Sequence, residues 1–425
     1  MSEFKLRDYQ VEIGNKGVKV LNELKILYLA MEVRTGKTLT SLHIANQYKA
    51  KHVLFLTKKR AIPSIENDYN LLNPSYKITI INNESAHKVL DKDIDFVISD
   101  EHHRNGAFPK PNKVTKLIKQ KWSKLPMIFL SGTPHPESYS QIFHQFWVSD
   151  HSPFEETTFY KWAKTYVTVK QRRLGYAVVN DYSSAKYKLI KPIIDKYLIA
   201  FTQKDAGFSS EVCETTLFVP MDATTYKMAK KLERDKILVS QDGKEIVADT
   251  AVKMMQKLHQ IYSGTVLCED GTAKLFDDTK AQFIKDHFKG KKLGIFYKFR
   301  AEWDMLKKVF GDSLTNTLDE FNGTDKHIAL QIVSGSEGIS LKEGDCIVYY
   351  NIDFSSKNYW QSRDRLTTMD RLNNDVYWIF SEGGIEEKIY RQVLKKKNYT
   401  STVFKRQHQP GIVSRSNPRS RRSLR

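Results

Sequence analysis

Ile26-Leu27-Tyr28-Leu29-Ala30-Met31-Glu32-Val33-Arg34-Thr35-Gly36-Lys37-Thr38 runs from an apolar strand into a glycine-bearing turn. A helical pattern through Leu39, Leu42, Ile44 and Ala45 follows. In that setting, backbone N–H groups of the turn and the helix N-terminus surround phosphate oxygens. Arg34, Thr35, Gly36, Lys37 and Thr38 are therefore expected to bind the phosphates of ATP. Lys37 would reach the β- and γ-phosphates, and Thr38 would give its hydroxyl to Mg²⁺. The usual pattern, G-x-x-x-x-G-K-S/T, begins with glycine, and Met31 stands in that place. A chance Gly-Lys-Thr in a loop is the competing reading of these residues alone.

Working outward, further apolar runs of strand length follow at His52–Thr57, Ile94–Ser99 and Met127–Leu130, alternating with helical stretches. Continuous apolar strands separated by helices predict a parallel sheet covered on both faces. The pattern returns at Lys292–Tyr297, Ile328–Val333, Cys346–Tyr350 and Val376–Phe380, with an amphipathic stretch at Ala301–Phe310. An α/β chain with two such sheets is expected, divided as 1–150, a helical and irregular connection 151–211, a second domain 212–405, and a basic disordered tail 406–425. No short-period repeat is visible.

Ser99-Asp100-Glu101-His102-His103 closes the strand that begins at Ile94. A carboxylate pair there lies at the C-terminal edge of a parallel sheet, beside the phosphate loop. Asp100 is expected to hold the hydration shell of Mg²⁺ and Glu101 to orient the attacking water. In isolation the four residues could equally be a solvated turn or a metal cluster.

The chain has 425 residues, a net charge of +19 and a pI near 9.5. That length predicts more than one core, and the charge favours a polyanionic partner, most commonly nucleic acid. No apolar run approaches the roughly 20 residues that span a bilayer, and the N-terminus lacks a signal-peptide core. No membrane contact and a cytoplasmic location are the expectations. Cys213, Cys268 and Cys346 lie far apart and form no CxxC pair, so reduced, mostly buried thiols are expected rather than zinc or disulfides. Phe159, Tyr160, Trp162 and Tyr166 suit packing at helical spacing better than stacking on bases.

These residues resemble the superfamily 2 helicases and translocases of the DExH type. Leu6-Arg7-Asp8-Tyr9-Gln10 resembles their adenine-reading segment, which implies roles for Arg7 and Gln10 at the base. Ser131-Gly132-Thr133-Pro134 resembles the motif coupling the nucleotide site to nucleic acid, with His103 and Gln361 implied in the same coupling. Within the superfamily the Swi/Snf-like group is most similar. Its phosphate loop also lacks the first glycine. Thr216–Met221 with Tyr226, and Lys257–Ile261, resemble the start and a helix of its second domain. Ser334–Leu341, including Gly338 at the nucleotide, resembles its motif V. Tyr350–Phe354 with Gln361-Ser362-Arg363-Asp364-Arg365 resembles motif VI, and Gly383–Ile389 the segment beyond. The resemblance spans about Leu6 to Lys388, and the compact length looks like phage-encoded members, which would make the compartment the host cytoplasm. It implies two tandem RecA-like parallel-sheet domains with an ATP cleft between them, and an ATP-dependent motor moving on DNA, duplex DNA first.

One departure matters. The family places a second arginine three residues after the one matching Arg365, to stabilise charge on the γ-phosphate. Thr368 stands there, and Arg371 is the expected substitute. The track along nucleic acid is expected at Lys58, Lys59 and Arg60 of the first domain and at Lys298 and Arg300 of the second. Such cations read phosphates rather than bases. Two alternatives stand beside this expectation: the motor module of a restriction-type or RNA-directed machine, and a nucleic-acid-binding protein whose ATPase has decayed.

Overall fold

The computed structural model describes residues 4–90, 93–135, 138–174, 177–207, 211–240, 242–335, 341–353 and 373–397. The chain builds two lobes, each on a six-stranded, wholly parallel sheet.

Lobe one begins with α1 (Asp8–Leu24), β1 (Ile26–Met31), α2 (Lys37–Gln47), β2 (His52–Thr57), α3 (Ile62–Leu72) and β3 (Lys77–Asn82). It continues with β4 (Phe96–Ser99), α4 (Lys113–Trp122), β5 (Met127–Leu130), α5 (Ile142–Trp147) and α6 (Phe159–Tyr166). It ends with β6 (Lys170–Leu174), β7 (Ala177–Asp181), α7 (Tyr187–Ile194) and β8 (Leu198–Phe201). The strand order is β3-β2-β4-β5-β1-β8. Side chains alternate across the sheet. Tyr28, Leu54, Val97 and Phe129 join the core under α4 to α7, while Leu29, Phe55, Phe96 and Ile98 join the core on the opposite face.

Lobe two runs β9 (Glu211–Val219), α8 (Ala223–Asp235), β10 (Ile237–Val239), β11 (Glu245–Val247), α9 (Ala251–Ile261), β12 (Thr265–Leu267) and β13 (Ala273–Leu275). Then come α10 (Thr279–His287), β14 (Leu293–Tyr297), α11 (Arg300–Phe310), β15 (Leu314–Thr315), α12 (Leu318–Gly323) and β16 (His327–Gln331). It closes with α13 (Ile332–Gly335), β17 (Cys346–Tyr349), β18 (Asn373–Ser381) and α14 (Glu386–Lys397). Its sheet order is β15-β16-β14-β17-β18-β9. A satellite core lies under α8, α9 and their two hairpins, with Leu232, Ile246, Ile261 and Val266 buried together.

Several expectations are corrected here. The segment 151–211, read as helical and irregular, contains a two-stranded ribbon (β6–β7) as well as helices, and it packs into lobe one. Phe159, Trp162, Ile190 and Ile194 share a core with Phe129 and Phe146, and β8 pairs in parallel with β1. Ile332 and Val333, read as strand, open α13 instead. β16 has no partner beyond the Tyr297–Gln331 pair, so the ladder ends there. Phe159 and Trp162 are buried in the core and Tyr160 is exposed, which supports the packing reading of that aromatic group. The three cysteines are free, with Cys268 and Cys346 buried but Cys213 exposed on β9. The tail 406–425 lies outside the described residues.

Candidate nucleotide site

The six sheet strands of lobe one run the same way, so the loops after β1, β2, β4 and β5 share one edge. β5 lies between β1 and β4. The Ser131 loop therefore stands between the phosphate loop and Asp100–Glu101.

Met31 is the last residue of β1 and is fully buried among Leu29, Ile98 and Leu130. The position where the usual pattern has glycine is here a strand position with a core side chain, so no glycine is required. The turn itself places Arg34 and Gly36 at positive φ, 65° and 76°. A Cβ on Gly36 would stand 2.4 Å from Gln10 Nε2, which explains glycine there on two counts. The loop is held from both sides. Gln10 Nε2 donates to the Gly36 carbonyl (3.3 Å) and Tyr9 Oη to the Thr35 carbonyl (3.2 Å). Tyr9 stacks on Phe201 at 4.7 Å. From the segment after β8, the Gln203 N–H donates to Glu32 Oε2 (2.8 Å) and Gln203 Nε2 to the Val33 carbonyl (3.0 Å). Gln10 is itself buried, and its Oε1 accepts from the Arg7 N–H (2.9 Å). The residue assigned to the base is thus committed to the loop and to its own helix start. α2 begins at Lys37, so its first N–H groups face the loop without helical partners.

Asp100 follows β4. Its Oδ2 accepts from Thr57 Oγ1 (3.0 Å), while the buried Oδ1 has no hydrogen-bond partner. Burial raises the carboxyl above the ordinary range, an effect that Lys37 opposes and Glu101 adds to. An unpartnered buried carboxylate oxygen is costly unless a cation completes it, so the donor set fits a divalent ion held by Asp100 with Thr38. Glu101 sits in the left-handed region at φ 48°, a strained conformation found at functional positions. That turn brings its Oε1 to 3.7 Å from Lys37 Nζ and its Oε2 to 3.3 Å from His103 Nδ1. His103 Nδ1 also lies 2.7 Å from Ser131 Oγ, which accepts from the Thr133 N–H at 3.0 Å. Lys37, Glu101, His103, Ser131 and Thr133 therefore form one connected set. Gly132 passes so close to the phosphate loop that a Cβ would meet the Met31 carbonyl at 3.4 Å.

Sequence reasoning missed the layer beneath. Gln145 on α5 is fully buried; its Oε1 accepts from Tyr28 Oη (2.6 Å) and its Nε2 donates to the Pro134 carbonyl (2.7 Å). Its own carbonyl lies 2.9 Å from His102 Nε2, and the His102 ring stacks on Phe129 at 3.7 Å. A single glutamine in the apolar run Ile142–Trp147 was the available signal. His102 is thus a core residue, and among the described residues no cluster of metal ligands exists. The metal-cluster reading of Asp-Glu-His-His falls away.

Burial pushes the His102 imidazole down to about 3 and that of His144 to about 4. Both are neutral in the folded chain and take a proton on unfolding below about 6.5. Their contribution is therefore complete above that pH and is lost as pH falls toward 4 and then 3. Unfolding in urea should show each costing about 2 kcal/mol between pH 7 and pH 5. Asp68, raised to about 6 by burial, works in the opposite sense. Equal stability at the two pH values would contradict the buried neutral state.

Lys59 and Arg60 are exposed at the end of β2, with Lys58 half-buried. In lobe two Arg300 is exposed, but Lys298 Nζ is bonded to Asp353 Oδ1 at 3.1 Å. Lys298 is therefore engaged inside its lobe, above a buried Glu302 that accepts from the Lys298 and Phe299 N–H groups. The phenol of Tyr297, raised chiefly by burial and by the nearby Glu302 and Asp304, is opposed by Arg300 and Arg60. Gly338, Gln361, Arg363, Arg365, Thr368 and Arg371 lie outside the described residues.

Residues 3–88 match the family described as Type III restriction enzyme, res subunit. No curated protein matches the chain in sequence. Among solved structures, the chain is similar to the Sulfolobus solfataricus SWI2/SNF2 ATPase core in complex with dsDNA. That pair shares 14% identity at a TM-score of 0.41, covering 94% of this chain and 93% of the other. The family match covers α1 to β3 with the phosphate loop between β1 and α2, and each lobe is an α/β unit built on a parallel sheet. No described helix is long and apolar enough to cross a membrane.

Proposed function

We propose that this chain is an ATP-dependent translocase on DNA of the Swi/Snf-like kind, with duplex DNA as its track. One observation carries the reading. Lys37 Nζ lies 3.7 Å from Glu101 Oε1 beside the unpartnered Asp100 Oδ1. This supplies a cation for phosphate, a carboxylate for water and a carboxylate for metal at one sheet edge.

Arg34, Thr35, Gly36 and the first N–H groups of α2 would cradle the phosphates, and Lys37 would neutralise the terminal ones. Asp100 and Thr38 would hold Mg²⁺, which when bound screens the phosphate charge. Glu101 would orient the attacking water, with Lys37 and His103 fixing its two oxygens. His103 would carry the change to Ser131 and Thr133, which follow it in the hydrogen-bonded chain. Arg365 and Arg371, and Gly338 and Gln361, are proposed to close the cleft from the second domain, 212–405, onto a first domain that runs through Gly207. Lobe closure on ATP and opening on product release would shift one lobe's hold on DNA relative to the other. Phage origin and a cytoplasmic setting belong to the same proposal.

The family match over residues 3–88 supports a second reading, the motor module of a restriction-type machine. ATP hydrolysis measured alone and with duplex DNA, single-stranded DNA and RNA tests both. Turnover is expected to rise most with duplex DNA. Stimulation by RNA alone would sink the DNA assignment, and no turnover under any condition would favour the decayed ATPase. Arg371→Ala is expected to remove stimulated turnover. Full activity in that variant would return the role to another arginine.

A further inference from the structure

The segment Phe159–Tyr197 carries nine Lys or Arg against two Asp, and the mechanism above uses none of it. Its centre is the ribbon β6–β7, an antiparallel pair joined to neither sheet. The ribbon leaves Val169, Val178 and Val179 exposed. Lys161, Lys164, Lys170 and Lys188 are exposed too, and among the described residues none is paired with a carboxylate. The two aspartates are already engaged: Asp195 with Lys191, and Asp181 with the Ser183 N–H. A solvated basic face would explain charge alone. It does not explain how the ribbon is mounted.

The ribbon's base is bonded to the loop that continues from Ser131-Gly132-Thr133-Pro134. Ser138 Oγ donates to the Ser183 carbonyl (2.7 Å) and Ser140 Oγ to the Tyr182 carbonyl (2.5 Å). Both acceptors lie immediately after β7. His135 packs on Tyr139, and Tyr139 on Tyr187 at the start of α7. On the other side, the Thr168 N–H donates to the Ser184 carbonyl and the Lys186 N–H to the Tyr166 carbonyl, closing the ribbon onto α6. α6 is in turn locked to α5 by Trp162 and Phe159 against Phe143, and α5 carries Gln145. A basic element is therefore bonded to the Ser131 loop, which reaches Glu101 through His103, and packed through α6 on the helix that carries Gln145.

We infer that the exposed side of α6 and the β6–β7 ribbon form a second grip on the sugar–phosphate backbone of nucleic acid, hung from the loop that reads the nucleotide site. The occupant follows from charge: the exposed cations of α6 and the ribbon outnumber the nearby carboxylates, which are Asp181 across from Lys170 and Glu155 and Glu156 near Tyr166, and such a strip binds a polyanion by releasing its counterions. The inference rests on the motor reading for its purpose but not for its chemistry.

The test is the full chain with Lys161→Glu, Lys164→Glu and Lys170→Glu. Its control is an equal charge reversal on exposed α8, at Lys227, Lys230 and Lys231. Binding of a labelled duplex and of a labelled single strand is followed by fluorescence anisotropy across a salt series. The ribbon variant is expected to lose about ten-fold or more in affinity, with a log–log salt slope shallower by about 2 to 3. The control should lose far less. The arm that weakens more identifies the strand form gripped. If charge reversal unfolds the chain, the Gln triple at the same positions should show a loss in the same direction, smaller because it removes three charges rather than reversing them. A ribbon variant indistinguishable from the control overturns the inference, as does a wild-type chain that binds neither probe. A wild-type chain that binds but never hydrolyses ATP fails the motor reading instead, and leaves this readout intact.

Discussion

Glu101→Gln is expected to lower stimulated ATP turnover by about 10²–10⁴-fold, with ATP binding retained. The substitution keeps the volume and the left-handed turn but removes the charge that faces Lys37 and His103. An amide cannot accept the proton of an attacking water, so the loss should fall on turnover rather than on affinity. Lys37→Ala should differ in kind. It removes a cation from the phosphates, so affinity and turnover should fall together. Equilibrium binding of a fluorescent ATP analogue, set beside steady-state phosphate release, separates the two. A Glu101→Gln chain that turns over at the wild-type rate would refute the assignment of the water-orienting base.

Lys280→Met is expected to destabilise lobe two by about 3–5 kcal/mol. Lys280 Nζ and Glu386 Oε1 are 2.8 Å apart and both side chains are wholly buried. The ammonium also lies over the Tyr350 ring at 5.5 Å. Glu386 Oε2 already lacks a partner, so removing the lysine leaves a carboxylate in the core with only the Ser381 N–H (3.4 Å) donating to it. The double variant Lys280→Met with Glu386→Leu should recover most of the loss, because no charge is left stranded. Urea unfolding of the two variants reads the difference. Equal destabilisation in both would mean that packing, not charge, sets the cost. The pair ties α10 to the start of α14, so it holds the segment Gly383–Ile389 against the sheet.

The sequence declared its central strands and hid its edges, for a physical reason. β1, β2, β4 and β5 are covered on both faces, so each reads as an unbroken apolar run. β3 and β8 lie at the margins of their sheet and are half-exposed, and β9 exposes Cys213, Thr215, Thr216 and Phe218. β8 is only four residues long, and β3 and β9 interleave polar residues with apolar ones, so none of them stands out as a long apolar run. The site behaved similarly. Lys37, Asp100, Glu101 and Ser131 were legible because their chemistry demands fixed residue types after fixed strands. Gln145, Gln203 and Tyr28 were not. Each acts through a few hydrogen bonds to backbone or neighbouring groups, and glutamine or tyrosine leaves little local signal. Lys298 shows the converse: a surface-looking lysine in sequence, it is bonded to Asp353 in the fold.

The pairing of β8 with β1 has a practical result for anyone dissecting the protein. A lobe cut after Asp150 would strip β1 of its neighbour and present Tyr28 to Met31 as a raw sheet margin, the kind of surface that seeds aggregation. It would also free the phosphate loop from Gln203. An autonomous piece of lobe one must therefore reach at least Gln203, and shorter fragments should precipitate or self-associate.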